Sequence, residues 1–489
     1  MKNRQTLLFT LSIISLTSCS LFSKKVWSWE ESTKDDTIKY CLLIGQLDHS
    51  DSITRTQGVR EILHTRVDKE HQLANCNLEN PVEGYIDIPE AKLDGKTIPA
   101  KRYKVKEIEH LEQKSMSGAT WDPITANSSA ATWISKHGKD ITFFVSNNDG
   151  MAEGASKASN WYEGMPIMGY DANISALKLI RENKMIGTVD ATTYAQCLAS
   201  SLLIRNITEH EKSDNDDYYN PTVDGFSNEH SLEDYGSGYI HSDITFDGCD
   251  LTKEDERENG NHALMVKNRA ISYDKIIDPE TGKQISYAAK SFFNEDGSEK
   301  AKKQIFDEYE GSKVDNPIKV DSSAFSELSV WQSWYNASDV FFTGNMNPYF
   351  DIVQASDMFN FNIVRAEGNG SDESSLLNSL SSALSKDSKP KAYLINPVQP
   401  TNSMQYINKI AEAFGIEEKE DWRDRSPIPI VFWNRQPTDR DGNVDHNVMN
   451  NKYFKYTYYI GNDAKQGGEL QGECLKYWIT YQYRLNYKG

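Results

Sequence analysis

Short apolar runs alternate with amphipathic segments along most of the chain. Apolar positions at helical spacing occur at Thr56–Leu63, Ala172–Arg181, Leu376–Leu384 and Ser403–Phe414. The short runs are typical of buried strands, and they lie at Tyr40–Ile44, Ile141–Val145, Pro166–Gly169, Ile186–Val189, Val340–Phe342, Phe361–Val364, Tyr393–Ile395, Ile428–Trp433 and Tyr458–Ile460. Strands that are buried on both faces and alternate with helices indicate parallel sheets. The pattern therefore predicts an α/β protein with two doubly wound parallel-sheet lobes.

Two regions break this alternation. Residues 64–118 carry only weak strand signals, and we expect an elaborated connection there. Residues 206–335 are acidic and rich in Asn, Asp, Gly and Ser, a composition that buries little apolar surface. We expect an acidic insertion or connection that is loop-like or partly disordered, with local structure at Ala263–Ile271 and Ser286–Phe293.

The amino terminus has the pattern of an export signal. Met-Lys-Asn-Arg is followed by an apolar run from Leu7 to Leu16, which is too short to cross a bilayer as a permanent helix. Leu16-Thr17-Ser18-Cys19 resembles the lipobox of bacterial lipoproteins. This resemblance implies that residues 1–18 are removed, that Cys19 is lipidated, and that the protein is anchored on the extracellular face of the cell membrane. A plain signal peptide with a chance cysteine is the alternative.

Composition excludes some classes of function. The net charge is −19, with 53 basic and 72 acidic residues, which argues against nucleic-acid binding. Five irregularly spaced cysteines follow Cys19, among them Cys41 and Cys197 in apolar segments, so a complete disulfide framework is not expected. The chain shows no nucleophile–base pair, no Gly-rich phosphate loop and no His/Cys cluster at metal spacing. We therefore expect no cofactor and no metal.

Polar side chains follow most of the predicted strands, where open α/β sheets bind ligands. They are Gln46, Asp48, His49, Asp51 and Arg55, then Asn147–Asp149, Asp171, Asn345, Asn347, Tyr349, Asn396 and Asn434. Trp121 opens another helical segment. Carboxylates, amides and a guanidinium group satisfy hydroxyls, and aromatic rings cover C–H faces, so the set suits a pyranose sugar. Any one of these residues could instead cap a helix or form a turn.

Several segments resemble one family closely. They are Asn147-Asn148-Asp149-x-Met151-Ala152, Pro166–Ala172, Gly187-Thr188-Val189, Ile395-Asn396, Val431-Phe432-x-Asn434-x-x-Pro437 and the stretch Tyr459–Gly472. Together they resemble the type I periplasmic sugar-binding proteins of ABC transporters, in particular the members that bind galactose and glucose. The resemblance implies a non-enzymatic monomer in which two lobes, joined by a three-stranded hinge, close on a hexose (glucose or galactose) and deliver this monosaccharide to an ABC transporter permease.

The order of these segments is reversed relative to the family, which implies a circular permutation. Residues 38–190, completed by 440–489, would form one lobe. Residues 191–205 and 336–435 would form the second lobe. Region 206–335 would hold remnants of the family's last segment, near Asn261–Asp278, and a new connection.

The resemblance also implies a set of sugar-binding residues. One lobe would supply His49, Asp51, Arg55, Trp121, Asn148 and Asp171, and the other Asn347, Tyr349 and Asn396. The calcium loop of the relatives corresponds to alternate residues from Glu31 to Lys39, with Thr142 at the distant position. A lysine and an uncharged residue are poor calcium ligands, so we expect this calcium site to be lost.

Three other classes of function compete with sugar transport. A glycoside hydrolase would need two facing carboxylates, such as Asp51 and Asp171, one of them with a raised pKa. This class is disfavoured because Arg55 and neighbouring amides would keep both carboxylates ionised. A surface antigen or adhesin could retain the fold without binding sugar. A repressor of the same fold is disfavoured by the export signal and by the absence of a basic helix-turn-helix.

Overall fold

The computed structural model describes residues 25–63, 83–93, 95–212, 244–246, 260, 262–277, 282, 284–302, 304, 327–354 and 360–488. The strands in this part of the chain are β1 Thr37–Ile44, β2 Glu83–Ile88, β3 Ala91–Leu93, β4 Lys96–Ile98, β5 Lys101–Glu112, β6 Phe143–Ser146, β7 Ile167–Met168, β8 Gly187–Asp190, β9 Ile244–Phe246, β10 Ala263–Val266, β11 Arg269–Ser272, β12 Ile276–Ile277, β13 Gln284–Ala288, β14 Leu328–Trp334, β15 Phe361–Glu367, β16 Ala392–Ile395, β17 Ile430–Trp433 and β18 Thr457–Asn462.

The helices lie mostly between these strands. They are α1 Trp29–Ser32, α2 Ser50–Leu63, α3 Pro123–His137, α4 Asp149–Ser156, α5 Ile174–Arg181, α6 Thr193–Lys212, α7 Asn347–Gln354, α8 Ser374–Leu384, α9 Ser403–Phe414, α10 His446–Met449 and α11 Ala464–Asn486. Single turns of 3₁₀ or π helix occur at Gly138–Asp140, Ala289–Phe292, Phe342–Met346, Pro400–Asn402 and Trp422–Asp424.

The strands form two large sheets. The first has nine strands in the order β12-β13-β11-β8-β7-β6-β1-β5-β2, with a parallel core from β8 to β5. The second has seven strands in the order β15-β14-β16-β17-β18-β10-β9, parallel from β15 to β10. The chain reverses direction across the sheet between β1 and β6 in the first sheet, and between β14 and β16 in the second. Ligands bind at such switch points, at the carboxyl ends of the strands.

Within the described residues the chain passes directly from one sheet to the other at three places, which we call the crossing segments. They are residues 190–193, 266–269 and 462–464, between β8 and α6, β10 and β11, and β18 and α11. The hydroxyl of Thr192 donates to the Lys267 carbonyl at 2.6 Å, and the amide of Asp463 donates to the Val266 carbonyl at 2.8 Å. Hydrogen bonds thus join all three segments side by side.

Eight of the nine predicted strands are confirmed, whereas β5, in the parallel core of the first sheet, lies in the region that was expected to be a connection. Val340–Phe342 was predicted as a strand, and this prediction was wrong: the segment is helical, and the strand lies earlier, at β14. The carboxylate of Asp339 accepts from the backbone N–H of Phe341 and so starts a helix where the apolar run suggested a strand.

The acidic region is more regular than its composition suggested. Residues 206–212 continue α6, β14 begins at Leu328, and β10 to β13 add strands to both sheets. The local structure expected at Ala263–Ile271 and Ser286–Phe293 is confirmed by β10, β11 and β13, where burial of Leu264, Val266 and Ala270 supplies apolar contacts. The expectation of a loop was wrong for residues 206–212 and for the start of β14. Residues 213–243 and 305–326 lie outside the described part of the chain.

The lobe boundaries also differ from those expected within residues 440–489. Residues 440–489 were placed with the first sheet, but only α11 packs there, against α2, whereas β18 belongs to the second sheet. Glycines allow the two helices to approach closely. A Cβ on Gly468 would lie 2.1 Å from the Arg55 carbonyl oxygen, and one on Gly58 would lie 2.3 Å from that of Lys465. Close packing of α11 thus fixes the helix that carries Asp51 and Arg55.

Candidate functional site

A narrow cavity lies between the ends of the two sheets. One wall consists of residues predicted from the sequence, namely His49, Asp51, Arg55, Trp121, Asn148 and Asp171. The opposite wall consists of Tyr335, Asp339, Phe341, Phe342, Asn434 and Arg435. The first wall follows β1, β5, β6 and β7, and the second follows β14 and β17, so both walls stand at the carboxyl ends of parallel strands.

Asp51 and Arg55 form a buried ion pair on the first wall. They stand one turn apart on α2, with Arg55 Nη2 3.0 Å from Asp51 Oδ2, and each is about 4% exposed. Arg55 Nη1 also donates to the Asn147 carbonyl at 2.8 Å, which ties α2 to the end of β6. Burial raises the pKa of Asp51, although Arg55 and an amide of Asn462 favour its charged form. Two well-oriented charged groups therefore lie at this wall.

His49 and Trp121 form the corner beside this pair. Their rings meet edge to face with centroids 5.5 Å apart, and the Trp121 ring packs so closely over Gly45 that a Cβ there would lie 2.3 Å away. Burial, Arg435 and Arg55 all push the pKa of His49 well below its usual value, so the ring is neutral. Since its Nδ1 accepts from the backbone N–H of Asp51 at 3.1 Å, Nε2 carries the proton and is a donor.

Asn148 and Asp171 complete the first wall. The side-chain oxygen of Asn148 accepts from the Met151 backbone N–H at 2.8 Å, so this residue caps α4 and also lines the cavity. Asp171 has a positive φ of 110° and lies 3.7 Å from Arg55 Nη1. Burial raises the pKa of Asp171 well above its usual value, and the negative charges of Asp339 and Asp51 add to this effect while Arg55 opposes it.

The opposite wall was largely missed by sequence reasoning. Tyr335 and Asp339 follow β14, and the Tyr335 hydroxyl donates to the Asp339 carboxylate. Asn434 and Arg435 follow β17, and Arg435 Nη1 donates to the Val398 carbonyl at 2.8 Å. The predicted strand at 340–342 ends eight residues after β14, so the polar residues expected at its end lie too far along the chain. A signal was present for one of these residues, because Asn434 follows a predicted strand and belongs to one of the segments that resemble the sugar-binding family.

The structure does not bring the three predicted residues of the second lobe to the cavity. Asn396 is fully buried and bonds to the backbone, with Nδ2 donating to the Trp433 carbonyl and Oδ1 accepting from the Tyr335 N–H, both at 2.8 Å. Tyr349 packs edge to face on Tyr194 at 5.7 Å. Asn347 begins α7 and does not line the cavity. Asn396 therefore holds together the strands that carry the second wall.

The chemistry of the cavity is that of a site for a polyhydroxylated ring. The buried carboxylates of Asp51 and Asp171 and the half-buried carboxylate of Asp339 provide acceptors, and aromatic rings line both walls. Two buried donors in the lining residues, Nε1 of Trp121 and Nε of Arg55, have no hydrogen-bond partner. Leaving buried donors unsatisfied costs about 1–3 kcal/mol each, so these groups favour a ligand that brings acceptors.

The residues that correspond to the calcium loop of the resembling family form ion pairs. Lys39 Nζ lies 2.8 Å from Asp35 and 3.9 Å from Asp140, and Glu31 pairs with Lys139 at 2.7 Å. Among the described residues there is no group of three or more His, Cys, Asp and Glu side chains placed to hold a metal ion. No helix in the described part of the chain is both long and apolar enough to cross a membrane.

Part of the chain is similar to known periplasmic binding proteins. Residues 28–212 match the family model described as a periplasmic binding protein domain. This match and the parallel α/β sheets support the type I periplasmic-binding-protein fold. One curated relative is the D-galactose/methyl-galactoside binding periplasmic protein MglB of Haemophilus influenzae, which is 32% identical over 114 residues. The alignment covers 22% of this chain and 34% of the relative, so the chain spans about a third of that protein's length.

Two solved structures also show local similarity. A periplasmic ribose ABC transporter from Conexibacter woesei is 23% identical over 18% of this chain and 28% of its own, with a TM-score of 0.15. A twin-arginine translocation pathway signal protein from Burkholderia phytofirmans is 17% identical over 33% of this chain and 38% of its own, with a TM-score of 0.19. Both TM-scores are too low for these structures to bear on the arrangement of this chain.

Proposed function

We propose that this protein captures a monosaccharide in the cavity between its two sheets and delivers it to the permease of an ABC transporter. The observation that carries the proposal is the convergence of His49, Asp51, Arg55, Trp121, Asn148 and Asp171 on one cavity, although more than a hundred residues separate the first from the last. The sequence resemblance independently implies a sugar contact for each of these residues. The second wall would supply its sugar contacts from Asp339, Phe341, Asn434 and Arg435. These residues replace Asn347, Tyr349 and Asn396, which the sequence resemblance implied.

Binding proceeds by closure of two lobes around the sugar. The indole of Trp121 and the ring of Phe341 cover opposite C–H faces of a pyranose, and Asp51, Asp171 and Asp339 accept from its hydroxyls. Arg55 donates to neighbouring hydroxyls with its planar fork of N–H groups. The crossing segments act as a three-stranded hinge. None of these residues is assigned a catalytic role.

A hexose such as glucose or galactose is the proposed ligand. The galactose-binding name of the Haemophilus relative supports this choice. A single ring held in this way is expected to bind with a Kd of about 1 μM or tighter, equivalent to about −8 kcal/mol.

A circular permutation accounts for the connectivity. The first sheet comes first along the chain, with β1 and β5 to β8, and leads into the crossing segment 190–193. The second crossing segment, 266–269, lies between β10 and β11. The segment that leads from β13 to β14 would then be the new connection, and the new termini would lie near α1 and α11. We further propose that Cys19 is lipidated and that its acyl chains hold the protein on the cell membrane, which Cys19→Ala would test by releasing the protein from the membrane fraction.

Isothermal titration calorimetry with a panel of sugars tests the proposed function. Residues 20–489 are titrated with glucose, galactose, ribose, maltose and glycerol at pH 7. We expect one-to-one binding of a hexose and no heat from glycerol, which has hydroxyls but no ring. Wild-type protein that binds none of the monosaccharides would contradict the proposal and would favour an antigen or adhesin.

A further inference from the structure

Asn462 stands behind the proposed sugar site without lining it. It is the last residue of β18, lies in the third crossing segment and is 1% exposed. Its Nδ2 donates to Oδ2 of Asp51 at 3.0 Å, the same carboxylate oxygen that pairs with Arg55. A residue of the second sheet thus fixes a carboxylate of the first wall.

Tyr170 connects the same amide to a second crossing segment. Its hydroxyl lies 2.8 Å from Oδ1 of Asn462 and 2.7 Å from Oδ1 of Asn268. The face of its ring lies 3.7 Å from the guanidinium of Arg55. Because Nδ2 of Asn268 donates to the Asp463 carbonyl, both amides present their oxygens to the single Tyr170 hydroxyl. One tyrosine therefore touches two crossing segments and supports the arginine of the ion pair.

These contacts link both members of the ion pair to the segments that join the sheets. Asp51 is held by Asn462, and Arg55 rests on Tyr170. A shift of either segment would therefore move the carboxylate and the guanidinium together.

We propose that Asn462 is a positioning residue, which orients the carboxylate of Asp51 and makes sugar affinity depend on the geometry of the crossing segments. The inference rests on the proposed function, since it concerns affinity for the same sugar. Asn462 contributes no contact to the ligand. Its effect is exerted through Asp51, with Tyr170 as the partner that keeps the amide in place.

Because charged groups surround Asp51, the proposal predicts a change in how sugar affinity depends on pH. The groups near this carboxylate are Arg55 from its own helix, His49 just before that helix, Asp171 and Tyr170 after β7, Tyr459 of β18, and Arg435 after β17. The Asn462 amide favours the ionised carboxylate, so its removal raises the pKa of Asp51 further. Sugar hydroxyls also favour the ionised form, and the affinity of a variant without this amide therefore declines at a higher pH than that of the wild type.

The test compares Asn462→Leu, Asn462→Asp and Tyr170→Phe with the wild type by calorimetry from pH 5 to pH 8. We expect Asn462→Leu to bind about tenfold more weakly at pH 7, with its pH profile shifted upward. Asn462→Asp places two carboxylates together, so its affinity falls most at pH 8 and recovers partly at pH 5, where one proton is shared between them. Tyr170→Phe keeps the ring over Arg55 and loses only the hydroxyl, so it is expected to bind severalfold more weakly.

Asn451→Leu is the matched control. This buried asparagine donates to the Val448 carbonyl and to the Thr457 hydroxyl, away from the cavity. It should lower the Tm while leaving affinity and pH profile unchanged. Wild-type affinity and an unshifted profile in folded Asn462 variants would overturn the inference and leave the proposed function intact. If Asn462→Leu does not fold, the same result in Asn462→Asp and Tyr170→Phe overturns it. Absence of sugar binding by the wild type would overturn both.

Discussion

The guanidinium of Arg435 lies over the face of Tyr335, 3.5 Å from the ring centroid. Tyr335 follows β14 and Arg435 follows β17, so this contact joins the two strand ends that form the second wall of the cavity. Arg435 Nη1 also lies 3.3 Å from the side-chain oxygen of Gln46, which follows β1 of the first sheet. A single buried arginine thus organises its own wall and reaches across to the first sheet.

Replacement of this arginine is expected to weaken sugar binding. Arg435→Met keeps much of the aliphatic volume but removes buried hydrogen bonds from a charged group, which are worth about 1.5–3 kcal/mol. Calorimetry should therefore show an affinity lower by roughly ten- to a hundredfold. Arg425→Met is the control, since Arg425 is also buried but bonds to the carbonyls of Lys419 and Glu420. Equal affinity in both variants would show that Arg435 does not shape the site.

Trp121 is the aromatic residue on which the sugar is expected to stack. Trp121→Ala removes that stacking area, and we expect binding to weaken by on the order of 2 kcal/mol, with loss of the ligand-induced change in tryptophan fluorescence. Trp161→Ala is a suitable control because Trp161 packs on Phe144 at 5.0 Å and does not line the cavity. Unchanged affinity in Trp121→Ala would mean that the sugar binds elsewhere.

Sugar affinity is expected to rise with pH in the acidic range. Burial raises the pKa of Asp171 well above its usual value of 3.8, whereas sugar hydroxyls that donate to the carboxylate favour its ionised form. The complex therefore binds fewer protons than the unliganded protein, and the affinity increases as the pH rises through the raised pKa. His49 stays neutral and should add no step near its usual pKa of 6.5.

Titrations in buffers of different ionisation enthalpy measure this proton release directly. Asp171→Asn should lower the sugar affinity. It should also flatten the acidic part of the profile of affinity against pH. Proton uptake on binding, or a profile that Asp171→Asn leaves unchanged, would contradict the assignment of Asp171.

A second buried ion pair is expected to act on stability alone. Arg60 Nε donates to Glu107 at 2.8 Å, and the Tyr40 hydroxyl donates to the same carboxylate at 2.9 Å. Removal of one partner from a buried pair typically costs about 3–5 kcal/mol, so Arg60→Met should lower the free energy of unfolding by about that amount. Arg102→Met removes an exposed pair with Asp87 and should leave the unfolding midpoint unchanged. Sugar affinity should be unaffected in both.

The same pair predicts a pH dependence of stability. Despite burial, Arg60 and His110 hold the pKa of Glu107 at about 2, below its usual value of 4.5. A depressed pKa contributes stability that is fully present above pH 4.5 and is lost as the pH falls toward 2. Chemical denaturation at several acidic pH values should show this loss in the wild type and a smaller one in Arg60→Met.

The sequence was most informative where strands are short, apolar and followed at once by a helix. Tyr40–Ile44 and Ile141–Val145 predicted the neighbouring strands β1 and β6, and so placed His49, Asp51 and Asn148 at one sheet edge. It was least informative near β14, where Ser329, Gln332 and Ser333 interrupt the apolar pattern. The more apolar run at Val340–Phe342 was then predicted as a strand, although these residues are helical and follow directly on Asp339.

Residues that act through tertiary contacts were the hardest to find. Asn396 and Asn434 both follow strands, and nothing in their local sequence shows that Asn396 bonds to the Trp433 carbonyl while Asn434 lines the cavity. Arg435 lies beside Tyr335 in the cavity wall because β14 and β17 lie on either side of β16 in the second sheet. This arrangement depends on segments that are distant in sequence.

A crystal structure of the protein grown with the hexose that it binds in solution tests the central claim most directly. We expect a single sugar ring between Trp121 and Phe341, with its hydroxyls bonded to Asp51, Arg55 and Asp171 from one wall and to Asp339 and Asn434 from the other. Sugar bound at another surface, with these side chains bonded only to one another, would contradict the account.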